Sequence, residues 1–454
     1  MRNTKVLLSV NNLKKYFPLS KGATLPKRRK FLRAVERISL DIEKGETFAL
    51  VGESGCGKST LGRTLLQLYK PTDGETLYFG ETLEEVAPKY AFSYLKNIEK
   101  YRLEYEQNPS LDENAHSKDF FSAIRVLGGL VALPYEESRL GAGLYSALLR
   151  RPCAETRNAC NAFWQGVESN EAIRALEEYK GGVDLTKLSV KELRPLRKDL
   201  QIIFQDPYSS LNPRMTVGQI IEEGLLTHGL YKKGSKELQD KILSVMQECG
   251  LQPYVLHRYP HQFSGGQRQR ICIARALALK PSFVVCDECV SALDASVQSQ
   301  ILNLLTDLKE KEKLTYLFIS HDLSVVRYIS DRVGVMYLGE IMEQGCARAV
   351  FENPRHPYTI ALMSALPSIK ERKEERIILQ GNPPSPVTPP KGCKFHTRCF
   401  MATEKCKSGK VPIVEVEKGH FVACHFANLS TDEKREMTKS DEKDGERGEE
   451  CEKA

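Results

Sequence analysis

The feature that most constrains this chain is the run Gly52-Glu53-Ser54-Gly55-Cys56-Gly57-Lys58-Ser59-Thr60. The apolar residues 48–51 before it read as a short buried strand, and residues 61–68 after it carry helical spacing. Strand, glycine loop and helix are the context in which Gly-x-x-x-x-Gly-Lys-Ser cradles phosphate. The glycines let successive backbone N–H groups turn inward at the positive end of the following helix. In such a P-loop Lys58 reaches the β- and γ-phosphates of a nucleotide and Ser59 holds Mg²⁺. The motif specifies a nucleotide site without specifying which ATPase.

The 454 residues suffice for two or three domains, and 41% hydrophobic with 28% charged residues is ordinary for a soluble chain. The longest apolar candidate, residues 126–133, falls well short of a bilayer span. The N-terminus leads into a β-like run and not into a signal-peptide core, so a cytoplasmic protein is expected. A net charge of +7, with both signs interleaved, describes a solvated surface and argues against nucleic-acid binding. For a chain of this kind the 13 cysteines point to thiols or metal ligation in preference to disulfides.

Residues 7–17 and 34–42 read as strands, with a basic loop at 20–30 between them. Pro71-Thr72-Asp73-Gly74 is a turn and 75–79 a strand. From 81 to 180 the character changes: 91–105 has helical spacing, 120–133 and 144–149 are apolar, and Trp164 lies here. If 77–80 and 182–185 are arms of one hairpin, this block is a mainly helical module inserted at its tip. Strands are expected at 200–204, 283–285 and 315–319, with helices at 216–258, 264–279 and 298–311. That alternation implies an α/β core with a largely parallel sheet. Residues 346–427 form a cysteine- and proline-bearing extension, and 428–454 a charged tail expected to be disordered.

Ser264-Gly265-Gly266-Gln267 opens a helix and makes a second anion-binding terminus. A second cradle on one chain makes most sense if it closes over the nucleotide of another subunit. Here the sequence resembles the ABC-type ATPase family, whose signature motif is Ser-Gly-Gly-Gln. The resemblance implies a cassette with a RecA-like core, an antiparallel β-subdomain and a helical subdomain at about 206–280, built from residues 1–80 and 181–345. It implies that Asp287, at the end of a strand, positions Mg²⁺ together with Ser59 and Gln205, and that Glu288 polarises the attacking water. His321 matches the switch histidine, Gln205 the Q-loop glutamine and Asp294 the D-loop aspartate. Phe17 resembles the aromatic that stacks on adenine, with Tyr16 a less apt substitute. Two cassettes then sandwich two ATP molecules head to tail.

The stretch Gln201-Ile202-Ile203-Phe204-Gln205-Asp206-Pro207-Tyr208-Ser209-Ser210-Leu211-Asn212-Pro213-Arg214-Met215 resembles the oligopeptide/dipeptide importer ATPases, as do Arg258-Tyr259-Pro260-His261-Gln262-Phe263 and His356-Pro357-Tyr358-Thr359. The basic loop is more similar to their F-type than to their D-type subunit. Cys289 and the insertion depart from the pattern. This resemblance implies a peripheral subunit on the cytoplasmic face of the membrane, docked on two permease subunits and paired with a second ABC ATPase, as heterodimer or homodimer. An external solute-binding protein would deliver peptide. Nickel or another small solute is an alternative cargo. A non-transport ABC ATPase is a further alternative, though the insertion lacks the sustained heptads of the chromosome and repair types.

Four thiols at Cys393-x5-Cys399-x6-Cys406-x17-Cys424 can ligate zinc or an iron–sulfur cluster. The peptide-importer ATPases often end in this pattern, where it resembles a [4Fe–4S] site. His396, His420 and His425 nearby keep zinc as the alternative. Cys286 and Cys289 flank the catalytic carboxylates, where burial argues against a redox role.

Overall fold

The structure is a computed structural model and describes residues 5–19, 30–81, 86, 88–108, 117, 119–120, 123, 182–366, 377–431 and 433–434. Most of the block 81–180, including Trp164, the basic loop and the tail beyond 434 lie outside these residues. The chain divides into two compact units, Met1–Val10 with Glu75–Arg197, and Asn11–Gly74 with Lys198–Ala454. In chain order the strands are β1 (Val6–Pro18), β2 (Phe31–Glu43), β3 (Thr47–Val51), β4 (Asp73–Tyr78), β5 (Val183–Asp184) and β6 (Leu200–Ile203). They continue with β7 (Phe283–Asp287), β8 (Thr315–Ile319), β9 (Arg332–Tyr337), β10 (Glu340–Cys346), β11 (Ile413–Glu417) and β12 (His420–Ala423).

The larger unit is built on an eight-stranded sheet of order β11-β12-β10-β9-β3-β8-β7-β6. From β6 to β9 every pairing is parallel, and the sheet closes with antiparallel β10, β12 and β11. Every residue of β3, β7 and β8 is buried. That is why these strands are continuous apolar runs and not alternating ones: helices cover both faces of a parallel sheet. The core around it joins Ala49, Ile203, Val284 and Phe318 of the sheet to Ile220 and Ile221, Ile242 and Met246, Ile271 and Ile273, and Ile301 and Leu305.

Helix α1 (Lys58–Leu65) begins at the lysine itself and stops three residues before the apolar spacing does. Gln67 sits at φ +54°, and the N–H groups of Gln67 and Leu68 close on the carbonyls of Thr64 and Arg63. This is a Schellman closure with glutamine where glycine is the usual signal. In the smaller unit the helix expected over 91–105 is two, α2 (Lys89–Lys96) and α3 (Ile98–Gln107). Asn97 separates them, its amide bonding back to the Ser93 carbonyl at 2.7 Å. The hairpin arms pair as expected, antiparallel with Leu77 opposite Asp184 and Tyr78 opposite Val183. Tyr90 on α2 takes the Asp184 N–H at 2.8 Å, and Lys187 reaches Tyr94 at 2.8 Å, so α2 is fastened to the same hairpin.

Residues 346–427 are not a separate appendage, because β12 pairs directly with β10 (Glu343 opposite Val422). Buried Glu343 anchors this joint: it accepts the N–H groups of Arg355 (2.8 Å) and His356 (2.7 Å) and is bonded to His420 Nε2 (2.7 Å). Those partners make burial of a carboxylate tolerable. Among the described residues no helix is long and apolar enough to cross a membrane.

His356 caps the helix Pro357–Ser364, accepting the Tyr358 N–H on Nδ1 at 3.0 Å, and its burial pushes the imidazole down to about 3. The unfolded chain therefore takes up a proton that the folded chain refuses. Stability present above pH 6.5 is lost as pH falls, by up to about 1.4 kcal/mol per pH unit towards pH 3. Asparagine keeps the cap without the titration. Urea midpoints at pH 7.5, 6.5 and 5.5 should fall less steeply for His356→Asn than for wild type, and parallel curves would contradict this assignment.

Candidate nucleotide site

Register places the site. Leu50 on β3 is opposite Ile319 on β8, which is opposite Asp287 on β7. The strands are parallel, so the P-loop, the Asp287-Glu288 pair and His321 emerge together at one sheet edge, the C-terminal edge where α/β folds bind ligands. Ile203 on β6 is opposite Cys286, which brings Gln205 to the same edge.

Within the P-loop, Gly57 sits at φ +105°, and a Cβ there would stand 2.0 Å from the Ala34 carbonyl oxygen. Only glycine satisfies both conditions. Lys58 is buried and turns its ammonium onto the carbonyls of Gly52 (2.7 Å) and Glu53 (3.0 Å), with Cys56 Sγ at 3.7 Å. Burial pushes the Cys56 thiol up, opposed by Lys58, so it stays protonated. Ser54 and Gly55 are exposed, while Ser59 and Thr60 are half-buried at the start of α1.

Ser59 donates to Asp287 Oδ1 at 2.5 Å, and Arg63, one turn along α1, reaches Asp287 Oδ2 at 3.1 Å. Asp287 is fully buried. Sequence reasoning missed Arg63, whose only signal is its position one turn after Ser59. Glu288 is a non-glycine residue at φ +48°, a strained conformation, and its N–H donates to the Ile319 carbonyl at 3.0 Å. Its carboxylate collects Gln205 Nε2 at 2.9 Å and His321 Nδ1 at 3.4 Å on one oxygen. The structure thus joins Ser59 to Asp287, and Gln205 and His321 to Glu288. Cys286 next door shares a hydrogen bond with Cys289, and this together with burial holds its thiol well above the usual range.

Ser264 caps the helix Gly265–Leu277 in a reciprocal box with Gln267, the N–H of Gln267 donating to Ser264 Oγ and Ser264 N–H to Gln267 Oε1. The serine is exposed and Gly266 buried. A Cβ on Gly266 would meet Val297 Cγ1 at 2.3 Å, so this glycine serves close packing as well as any anion. Asp294 caps the helix Ala295–Glu312, and the Val297 N–H and the Ser296 hydroxyl hold its carboxyl below the usual range. The signature and the Asp294 loop are therefore neighbours. Phe17 is half-buried, edge-on to Tyr69 at 5.4 Å, with the Lys15 ammonium 4.8 Å from its centroid. Tyr16 gives its hydroxyl to Glu36 at 2.7 Å.

Cys393, Cys399, Cys406 and Cys424 line one cavity, with His356, His396 and His425. Burial, reinforced by one another's proximity, pushes Cys393 up to about 11 and Cys399 to about 12, and raises Cys424. The Nε2 atoms of His356 and His425 are buried and without hydrogen-bond partners. Yet among the described residues no three His, Cys, Asp or Glu stand close enough to hold one ion. His420 is not of this group, being bonded to Glu343. His356, which sequence reasoning did not connect with the cysteines, is.

Two family models match the chain. One, described as ABC transporter, covers residues 35–151 and 170–291, and the other, the C-terminal region of oligopeptide/dipeptide transporters, covers 342–406. The chain belongs to the ABC transporter ATP-binding family. It is 39% identical over 428 residues to the oligopeptide transport ATP-binding protein AppF of Bacillus subtilis strain 168, covering 93% of this chain and 98% of that protein. It is 38% identical over 419 residues to the dipeptide transport ATP-binding protein DppF of Haemophilus influenzae, covering 92% and 96%. The dimeric ATP-binding cassette MJ0796, solved with ADP and Pi, aligns at 20% identity and a TM-score of 0.47 over 75% of this chain and 99% of that one. As an ABC ATPase, the chain binds and hydrolyses ATP.

Gly57→Ala places a methyl on the Ala34 carbonyl within the ABC ATPase's P-loop. It should weaken ATP binding by about five- to 150-fold, because strain at such a position costs roughly 1–3 kcal/mol. Isothermal titration of the purified chain measures this, and wild-type affinity would contradict the loop geometry.

Proposed function

We propose that the chain is the ATP-hydrolysing subunit of an importer for oligopeptides or dipeptides, working as a cassette dimer beneath two permease subunits. Such a subunit lies on the cytoplasmic face of the membrane. The observation that carries the catalytic reading is the carboxylate of Glu288, held strained at the sheet edge and shared by Gln205 and His321, beside the Ser59–Asp287 bond. The names of the relatives and the C-terminal model support the peptide cargo.

In this reading the amides of Gly52, Glu53, Ser54, Gly55, Cys56, Gly57, Lys58, Ser59 and Thr60 line the phosphates, and Lys58 moves from its carbonyl partners to the β- and γ-phosphates. Phe17 offers a ring to adenine. Ser59 and Asp287, with Gln205, are hard oxygen donors that suit Mg²⁺, which when bound neutralises developing phosphate charge. Glu288 accepts a proton from the attacking water while His321 orients the γ-phosphate. Exposed Ser264, with Gly265, Gly266 and Gln267, completes the site of a second cassette, and Asp294 lies at the same contact. Residues 81–180 are an inserted module on the β4–β5 hairpin, and 428–454 a charged tail.

The four cysteines are assigned as ligands of a [4Fe–4S] cluster. A closed tetrathiolate zinc site needs its sulfurs about 3.8 Å apart, as 2.3 Å Zn–S bonds dictate. What supports the cluster is the four-cysteine pattern and the one cavity that the thiols line; among the described residues they are not gathered around a single ion. Anaerobically purified protein should be coloured, with visible absorption that a zinc protein lacks. Colourless protein carrying stoichiometric zinc would overturn the assignment.

Reconstituted with permeases and binding protein, the wild type should hydrolyse ATP faster when peptide is supplied. Glu288→Gln should retain ATP binding, accumulate as a closed dimer and lose hydrolysis by about 10²-fold or more. Normal turnover in that variant, or stimulation by nickel and not by peptide, would count against the proposal.

A further inference from the structure

Each polar group of Glu53 in the P-loop is engaged. Its N–H donates to the Tyr358 hydroxyl at 2.9 Å, its carbonyl accepts from Lys58 Nζ at 3.0 Å, and its carboxylate takes Arg398 Nη1 at 2.7 Å. Two of those partners belong to the segment after β10, and the third is the phosphate-binding lysine. The Arg398 side chain is 7% exposed and that of Glu53 26%, so water screens their charges only in part. Arg398 is itself held in place. Its Nη1 also lies 3.4 Å from the Tyr337 hydroxyl, and its backbone N–H donates to the Phe395 carbonyl at 2.9 Å. Phe395 is fully buried and packs on Tyr337 and Tyr358 at centroid distances of 5.3 and 5.2 Å. The glycines of the loop remove steric barriers, but they supply no restoring force towards one loop shape. Glu53 supplies it through its side chain, beside the Cys56 carbonyl, which accepts the Gly339 N–H at 2.9 Å.

We propose that Arg398 is a positioning residue for the nucleotide site. By gripping the Glu53 carboxylate while Tyr358 grips its N–H, it holds the loop in the shape from which Lys58 transfers from the Gly52 and Glu53 carbonyls to phosphate. The C-terminal segment that lines the cysteine cavity is thereby a working part of the ATP site. This rests on the P-loop being the nucleotide site.

The test is ATP affinity of the full-length chain, by titration with MgATP, for wild type, Arg398→Gln, Arg398→Lys, Glu53→Gln and the Arg398→Gln/Glu53→Gln double variant. Arg398→Gln and Glu53→Gln should each weaken binding roughly tenfold or more, the scale of a charged hydrogen bond. The double variant should bind no more weakly than the worse single one, and Arg398→Lys should recover part of the loss. Unchanged affinity in Arg398→Gln, or losses that multiply in the double variant, overturns the proposal. If Arg398→Gln does not fold, Glu53→Gln carries the test, and wild-type affinity there overturns it equally. A wild-type chain that binds no MgATP sinks the P-loop reading instead.

Discussion

Three parallel strands in register, β3, β8 and β7, fix where everything chemical in this molecule can stand. Leu50, Ile319 and Asp287 lie side by side, so the residues that follow them have no choice but to share one edge. A slip of one residue in any of these strands would turn its side chains to the other face and carry Asp287 away from Ser59. Burial on both faces resists such a slip, because each alternative register would change which apolar side chain meets which helix.

The edge gathers charge that the interior would not otherwise accept. Asp287 is fully buried, and its two oxygens are answered by the Ser59 hydroxyl and the Arg63 guanidinium. Glu288, the next residue, is turned into the left-handed region, which points its carboxylate to Gln205 and His321. Two adjacent carboxylates thus receive different partners, a hydroxyl and a guanidinium for Asp287 and an amide and an imidazole for Glu288. Strain of about 1–3 kcal/mol at such a position persists only where surrounding bonds over-determine it, and the Ile319 carbonyl and the Ser291 hydroxyl do so here.

Much of this was legible in the sequence because the elements that build the edge are the ones with the strongest local signals. The apolar runs of β3, β7 and β8 and the Gly-Lys-Ser and Ser-Gly-Gly-Gln motifs speak for themselves, and the hairpin arms at 77–80 and 182–185 followed from their strand-like pattern. What escaped depends on partners far away in sequence. Arg398 is an ordinary surface type of residue until Glu53 is found 345 positions away. His420 reads as a metal ligand until Glu343 is found beside it. The end of α1 at Leu65 needed a left-handed Gln67, and the break at Asn97 a side chain bonding backwards, neither of which apolar periodicity records. The strands β11 and β12 were hidden by the cysteines and prolines around them, although Ile413-Val414-Glu415-Val416-Glu417 alternates clearly.

In the proposed dimer one nucleotide is gripped by the loop at the end of β3 and covered by the Ser264 terminus of another cassette. Hydrogen exchange of the Glu288→Gln protein with and without MgATP tests it most directly, since amides that bind phosphate exchange slowly. Peptides covering 52–60 and 264–267 should become protected together, and the second group should lose its protection on dilution to monomer. Protection of neither segment, or of 264–267 in a monomer, would contradict it.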